Sequence, residues 1–229
     1  MSHNPWISIF TSPRATIARI VAENPNQSLW WLAAIYGFSS LLNTFQSMML
    51  GFKVSLLGIF LLAAVFSPLW GYISISIWSW VVSLTGKWIK GVGEFKAVRA
   101  AYAWSCVPLI ANIPLWFILA FLFGQQLFVN FSDSQALSQA QVALLFLILL
   151  IRIVAAIWSI VIYLNALAEV QRFTILRAIS NVIIAGLLVG IAAYLILMIT
   201  SATIGTSFGP RTIFELISNG SSQLTLRNL

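Results

Sequence analysis

From Val142 to Ala168 the chain reads VALLFLILLIRIVAAIWSIVIYLNALA, an apolar run in which Arg152 is the one charged residue. A helix needs about 20 apolar residues to cross roughly 30 Å of hydrocarbon, and this run supplies more than enough. Four further runs have the same character: Leu29 to Leu50, Val54 to Leu84, Cys106 to Phe128 and Asn181 to Thr200. Over all 229 residues 60% are apolar and 7% charged, where a soluble domain carries about 25% charged residues. Only helices and closed barrels satisfy every backbone polar group in lipid, and runs of this length select helices. The expected fold class is therefore an all-α integral membrane protein, a bundle of five transmembrane helices edged on the cytoplasmic side by short interfacial amphipathic helices. Three regions follow: a cytoplasmic amphipathic segment, 1–28; the five-helix transmembrane domain, 29–200; and an outer tail, 201–229, with one short amphipathic stretch at Arg211 to Ser218.

The run from Val54 to Leu84 is too long for one straight crossing. Pro68 stands inside it and removes the backbone bond to Ala64, so a tilted, kinked helix is expected, with two re-entrant halves as the alternative. Pro108 and Pro114 fall in the third run. Orientation follows from the loops. With the amino terminus inside, the cytoplasmic segments hold Arg14, Arg19, Lys87, Lys90, Lys96, Arg99, Arg172 and Arg177, and the outer ones hold Lys53, Arg211 and Arg227. That bias predicts N-in and C-out for five spans. The lone Cys106 has no partner for an internal disulfide and reads as a small buried hydrophobe.

Before the first run, SPRATIARIVAEN places Ser12 to cap a helix whose first residue is Pro13. A helix from Pro13 to about Glu23 is expected, with Ile17, Ile20 and Val21 on one arc and Thr16, Arg19 and Glu23 on the other. That pattern suits a helix lying in the headgroup layer, anchored by Trp6, Ile7, Ile9 and Phe10. A second basic stretch, TGKWIKGVGEFKAVRAAYAWSCVP, breaks at glycines 86, 91 and 93 before Phe95, Val98 and Tyr102 recur at helical spacing. Trp6, Arg14, Arg19, Lys87, Lys90, Lys96 and Arg99 are thus the expected lipid-facing set, with anionic headgroups as their partners. The isolated Gly91-x-Gly93 lacks the strand, the third glycine and the GK[ST] ending of a nucleotide loop. Basic residues scattered between apolar runs do not describe a nucleic-acid surface.

Inside the runs, polar groups need internal partners. Arg152 costs roughly 2.5 to 3.5 kcal/mol to insert at a helix centre. No Asp or Glu lies within a run, so Asn43, Gln46, Asn112 and the carbonyls freed by Pro68 and Pro114 are its candidate partners, with Asp133 or a lipid phosphate reachable if the helix lies lower. At the end of the fourth run Asn165, Glu169 and Arg172 form one polar stripe. Gly186 and Gly190 stand at GxxxG spacing and are expected to pack a helix of the same chain or of a second copy.

NPW at 4–6, SPR at 12–14 and GVGEFKAVRAAYAWSCVPLIANI at 91–113, set among five apolar runs, resemble the Yip-one domain family of multi-pass membrane proteins. The resemblance covers about residues 4–200 and implies a five-helix core with a cytosolic amino terminus. Eukaryotic relatives are implicated in binding prenylated Rab GTPases and in early secretory traffic, after a longer cytosolic leader. The 28 residues here suggest a bacterial type, placed in the inner membrane, with endoplasmic reticulum or Golgi as the alternative. No catalytic residue comes with the resemblance.

Enzyme signatures are missing from the residues themselves. The single histidine, His3, precedes the first helix, so no HExxH zinc site or Ser-His dyad can form in the membrane. No metal or cofactor is expected. The expected function is that of a non-enzymatic membrane scaffold or adaptor that binds anionic lipid, with a protein partner or a second copy as its candidate protein ligand. The alternative is a small-solute, ion or lipid transporter with a midplane site near Arg152.

Overall fold

Proline and short polar side chains open several of the helices. In the computed structural model, which describes residues 4–129 and 138–204, α1 (Pro5–Thr11) starts with Pro5 in its first turn and Asn4 Oδ1 accepting the Trp6 amide at 3.1 Å. The sequence pattern had suggested only an anchor there. Next, α2 spans Pro13–Glu23, as expected from SPR, although Ser12 caps it without a side-chain bond. The apolar chain continues as α3 (Leu29–Ser47), α4 (Leu56–Trp88), α5 (Phe95–Ser105), α6 (Asn112–Phe123), α7 (Gln139–Gln171) and α8 (Ile175–Ile204). A capping box at Ser138 and Gln141 opens α7. Asp133, the stretch Arg211 to Ser218 and the rest of the outer tail after Ile204 lie outside the described residues.

Among the described residues four stretches are long and apolar enough to cross a membrane: Leu56–Trp88, Phe95–Phe128, Gln139–Gln171 and Ile175–Thr200. The first apolar run is helical in α3 but is not among them, because Ser39, Ser40, Asn43, Thr44, Gln46 and Ser47 dilute its second half. The third span begins at Phe95 rather than Cys106. Its helix α5 turns through a 3-10 segment, Val107–Ala111, into α6, which carries Pro114 in its first turn where no backbone donor is missed.

Pro68 leaves α4 continuous. The Ser67 hydroxyl donates to the Ala64 carbonyl at 3.0 Å, the acceptor that Pro68 deprives of its amide. Helix α3 lies antiparallel along α4 with backbones in contact. A methyl group at Gly71 would overlap the Ala33 carbonyl oxygen, and one at Gly37 the Ser67 carbonyl oxygen. Without a Cβ at either place the helices close to main-chain distance.

The chain divides into two units, Met1–Val182 and Ile183–Leu229. In the first, one core gathers Ile9, Ile17, Ile20, Ile75, Trp104, Ile162 and Ala166. A second core holds Leu42, Ile59, Ala63, Trp116, Leu119, Phe128 and Ile148. The described part of the second unit is the remainder of α8, with Ile183, Leu187, Ile191 and Leu195 exposed.

One face of the leading helices packs on protein, while Ile7, Phe10 and Arg14 stay exposed. Ile9, Ile17 and Ile20 are buried against protein, and Trp6 packs on Trp104 with ring centroids 5.1 Å apart. Thr16, expected on the polar arc, is buried and donates to Ser8 Oγ at 2.9 Å. Removing an Ile from water is worth about 1.5–3 kcal/mol whether lipid or protein covers it. Protein covers it here because α1, α5 and α7 offer a fitted groove.

Candidate functional site

One end of the first unit collects the basic residues. Arg99, expected to face headgroups, is instead buried in α5. Its Nη1 donates to the Tyr72 hydroxyl at 2.9 Å and its Nη2 to Asn26 Oδ1 at 2.8 Å. The Tyr72 ring lies 5.3 Å from the guanidinium carbon and the Phe95 ring 5.0 Å. Trp30 stacks on Tyr72 at 4.7 Å. A guanidinium with planar faces and forked donors suits this pocket, where a lysine would match neither. Arg14, exposed on α2, donates through Nε to Asn165 Oδ1 at 3.2 Å and ties α2 to α7. Arg19 is half-buried on the same helix. Lys87, Lys90 and Lys96 are exposed.

The glycine-rich linker is anchored by Gln171. Its Oε1 accepts the Gly93 amide at 2.9 Å, and a Cβ at Gly86, Gly91 or Gly93 would press into its side-chain amide. Gly86 therefore does not break the chain; it lies inside α4, and Lys90, at φ 68°, makes the turn. Beside it, Thr85 donates to Asn181 Oδ1 at 2.6 Å, and Asn181 Nδ2 donates to the Val82 carbonyl at 3.1 Å. Of the expected Asn165, Glu169 and Arg172 stripe, Asn165 and Glu169 lie on α7, while Arg172 ends the helix in a left-handed conformation, φ 54°. Gln171 and Asn181 carried no signal as single polar residues beside apolar runs.

The opposite end is held by amides. Gln125 Nε2 donates to the Gly51 and Val54 carbonyls, each at 2.6 Å, and Gln46 Nε2 to the Leu127 carbonyl at 3.0 Å. Arg152, in α7, lies with its guanidinium carbon 4.7 Å from the Trp116 ring centre, and Trp116 stacks on Phe128. Its Nε and Nη2 are buried and find no hydrogen-bond acceptor among the described residues. The Ala64 carbonyl, a suggested partner, is taken by Ser67.

The four intramembrane polar residues divide between two cavities. Arg152 and Gln46 share one of about 230 Å³, walled by Leu119, Phe123, Leu145 and Leu149. Asn43 and Asn112 line another, of about 490 Å³, with Ser39, Ser40 and Thr44. Asn43 Nδ2 donates to its own helix at Ser39 O, 2.8 Å away. At Gly186 and Gly190, both exposed on α8, an added methyl would meet no heavy atom within 4 Å. Among the described residues no cluster of His, Cys, Asp or Glu has the arrangement of a metal centre.

A family model described as the Yip1 domain matches residues 7–207. The chain belongs to the Yip1 domain family. The matched residues include both arginine sites, the Gln171 anchor and the four apolar stretches. Together with the apolar helices it makes the protein a multi-pass membrane protein. Yip1 domains form a membrane protein family not known for catalysis. No curated protein and no solved structure matches the chain.

Proposed function

We propose that this Yip1 protein is a non-enzymatic membrane scaffold or adaptor that engages anionic lipid at its basic end and presents that end to protein partners in membrane organisation or trafficking. One observation carries the reading: exposed Lys87 and Lys90 flank exposed Trp88 where α4 ends, and exposed Lys96 follows in the first turn of α5. Tryptophan settles at the headgroup layer, and each lysine near an anionic leaflet contributes about 1 kcal/mol. The positive-inside bias makes that leaflet cytoplasmic, with the amino terminus inside. Five crossings fit better than four, because α3 lies along α4 through the Ala33–Gly71 and Gly37–Ser67 contacts, so a bilayer that holds that part of α4 holds α3 as well. The carboxyl end is then outside.

The transport alternative requires a polar path to Arg152. The Asn43–Asn112 cavity and the Arg152–Gln46 cavity share no lining residue, which supports the scaffold.

The test is to purify the protein with its native lipid and identify what co-elutes by mass spectrometry. The reading expects a defined protein together with anionic lipid, the lipid depleted in a Lys87→Gln, Lys90→Gln, Lys96→Gln variant. A stoichiometric small solute in place of both would reverse it.

A further inference from the structure

We propose that the Arg152 cavity is a site for the anionic headgroup of a lipid, separate from the basic cytoplasmic end. The acidic residues among the described ones are Glu23, Glu94 and Glu169, all exposed; Glu94 opens α5 beside the linker and Glu169 lies in the last turn of α7. None of them accompanies Arg152, and buried charged donors without an acceptor are costly. Its Nε and Nη2 are buried without an acceptor, and the cation rests on the face of Trp116, which attracts a cation without accepting its N–H bonds. Two unoccupied donors on a planar fork match two oxygens of a phosphate or carboxylate.

The cavity selects the rest of the ligand. Apart from Gln46 and Arg152 its walls are Leu119, Phe123, Leu127, Leu145, Ile148 and Leu149, surfaces for an acyl chain rather than a hydrated ion. The Gln46 amide is already committed to Leu127, leaving the guanidinium as the polar contact. Depth agrees. From Gln171, which anchors the basic linker, back to Arg152 the helix advances about 28 Å, close to the roughly 30 Å thickness of a hydrocarbon core. Arg152 therefore stands near the headgroups of the far leaflet when the lysines stand at the near one.

The experiment uses the full chain in mild detergent, loaded with phosphatidylglycerol, phosphatidylcholine, oleate or inorganic phosphate, with retained ligand counted by native mass spectrometry. Wild-type protein is expected to hold one phosphatidylglycerol or one oleate at least tenfold more often than phosphatidylcholine, and which of the two displaces the other identifies phosphate or carboxylate. Arg152→Gln brings that occupancy down to the phosphatidylcholine level. Leu145→Trp, which fills the cavity and leaves the cation, does the same with helical circular dichroism unchanged. The Lys87, Lys90, Lys96 triple variant keeps this ligand, which separates failure here from failure of the cytoplasmic reading. Undiminished retention by Arg152→Gln overturns the proposal. So does binding of inorganic phosphate as tight as that of either lipid, or lipid binding that appears only after Asp133→Asn, which would assign the guanidinium to a carboxylate of its own chain.

Discussion

Arg99 and Arg152 are the same side chain in two settings. Both lie over aromatic rings in membrane helices. Arg99 has two acceptors, Tyr72 and Asn26, that fasten α5 to α4 and to the lead-in of α3. Arg152 has a ring beneath it and no acceptor among the described residues. The difference teaches that a guanidinium becomes structural through its acceptors and not through its depth. A guanidinium whose two terminal nitrogens are used, as at Arg99 where Nε alone is left without an acceptor, holds elements together; one with no acceptor at all is held by its neighbours and is open to a ligand.

Substitutions break or sharpen that contrast. Arg99→Leu removes two charge-assisted bonds and strands Tyr72 and Asn26; a loss of about 3 kcal/mol is expected from thermal unfolding in detergent. Gly86→Val forces a side chain into the Gln171 amide within the same basic end, at about 2 kcal/mol, the usual cost of overpacking. Tyr72→Phe deletes one acceptor while keeping the ring, so about 1 kcal/mol should be lost. Arg152→Leu should change stability by less than about 1 kcal/mol in lipid-free detergent, in either direction, because no partner is left stranded. A loss at Arg152 as large as that at Arg99 would erase the distinction.

How much of this could be read from residues alone depended on which physical constraint each residue answers to. The spans were legible because the bilayer admits long apolar helices and little else, and α2 was legible because Ser-Pro marks a helix start. The fate of α2's apolar face was not, since lipid and protein cover Ile17 and Ile20 equally well in a helical wheel. Arg99 looked topogenic beside three lysines; Tyr72 and Asn26, distant in sequence, decide otherwise. Arg152 was visible as an anomaly, and the sequence named Gln46, which lines its cavity, and Asn43 and Asn112, which line another. Gln171 and Asn181 were missed because an amide near a helix end reads as emergence into water until the glycines packed on it are known.

The contact between α3 and α4 has a consequence for how rigidly the two helices are held. At Gly37 and Gly71 nothing but main chain sets the gap, so the two helices have one mating distance that no side-chain rotamer can stretch. Substitution elsewhere along either rod leaves this spacing intact. The pair forms a fixed jaw on which the second core, with Trp116, Leu119 and Ile148, is assembled.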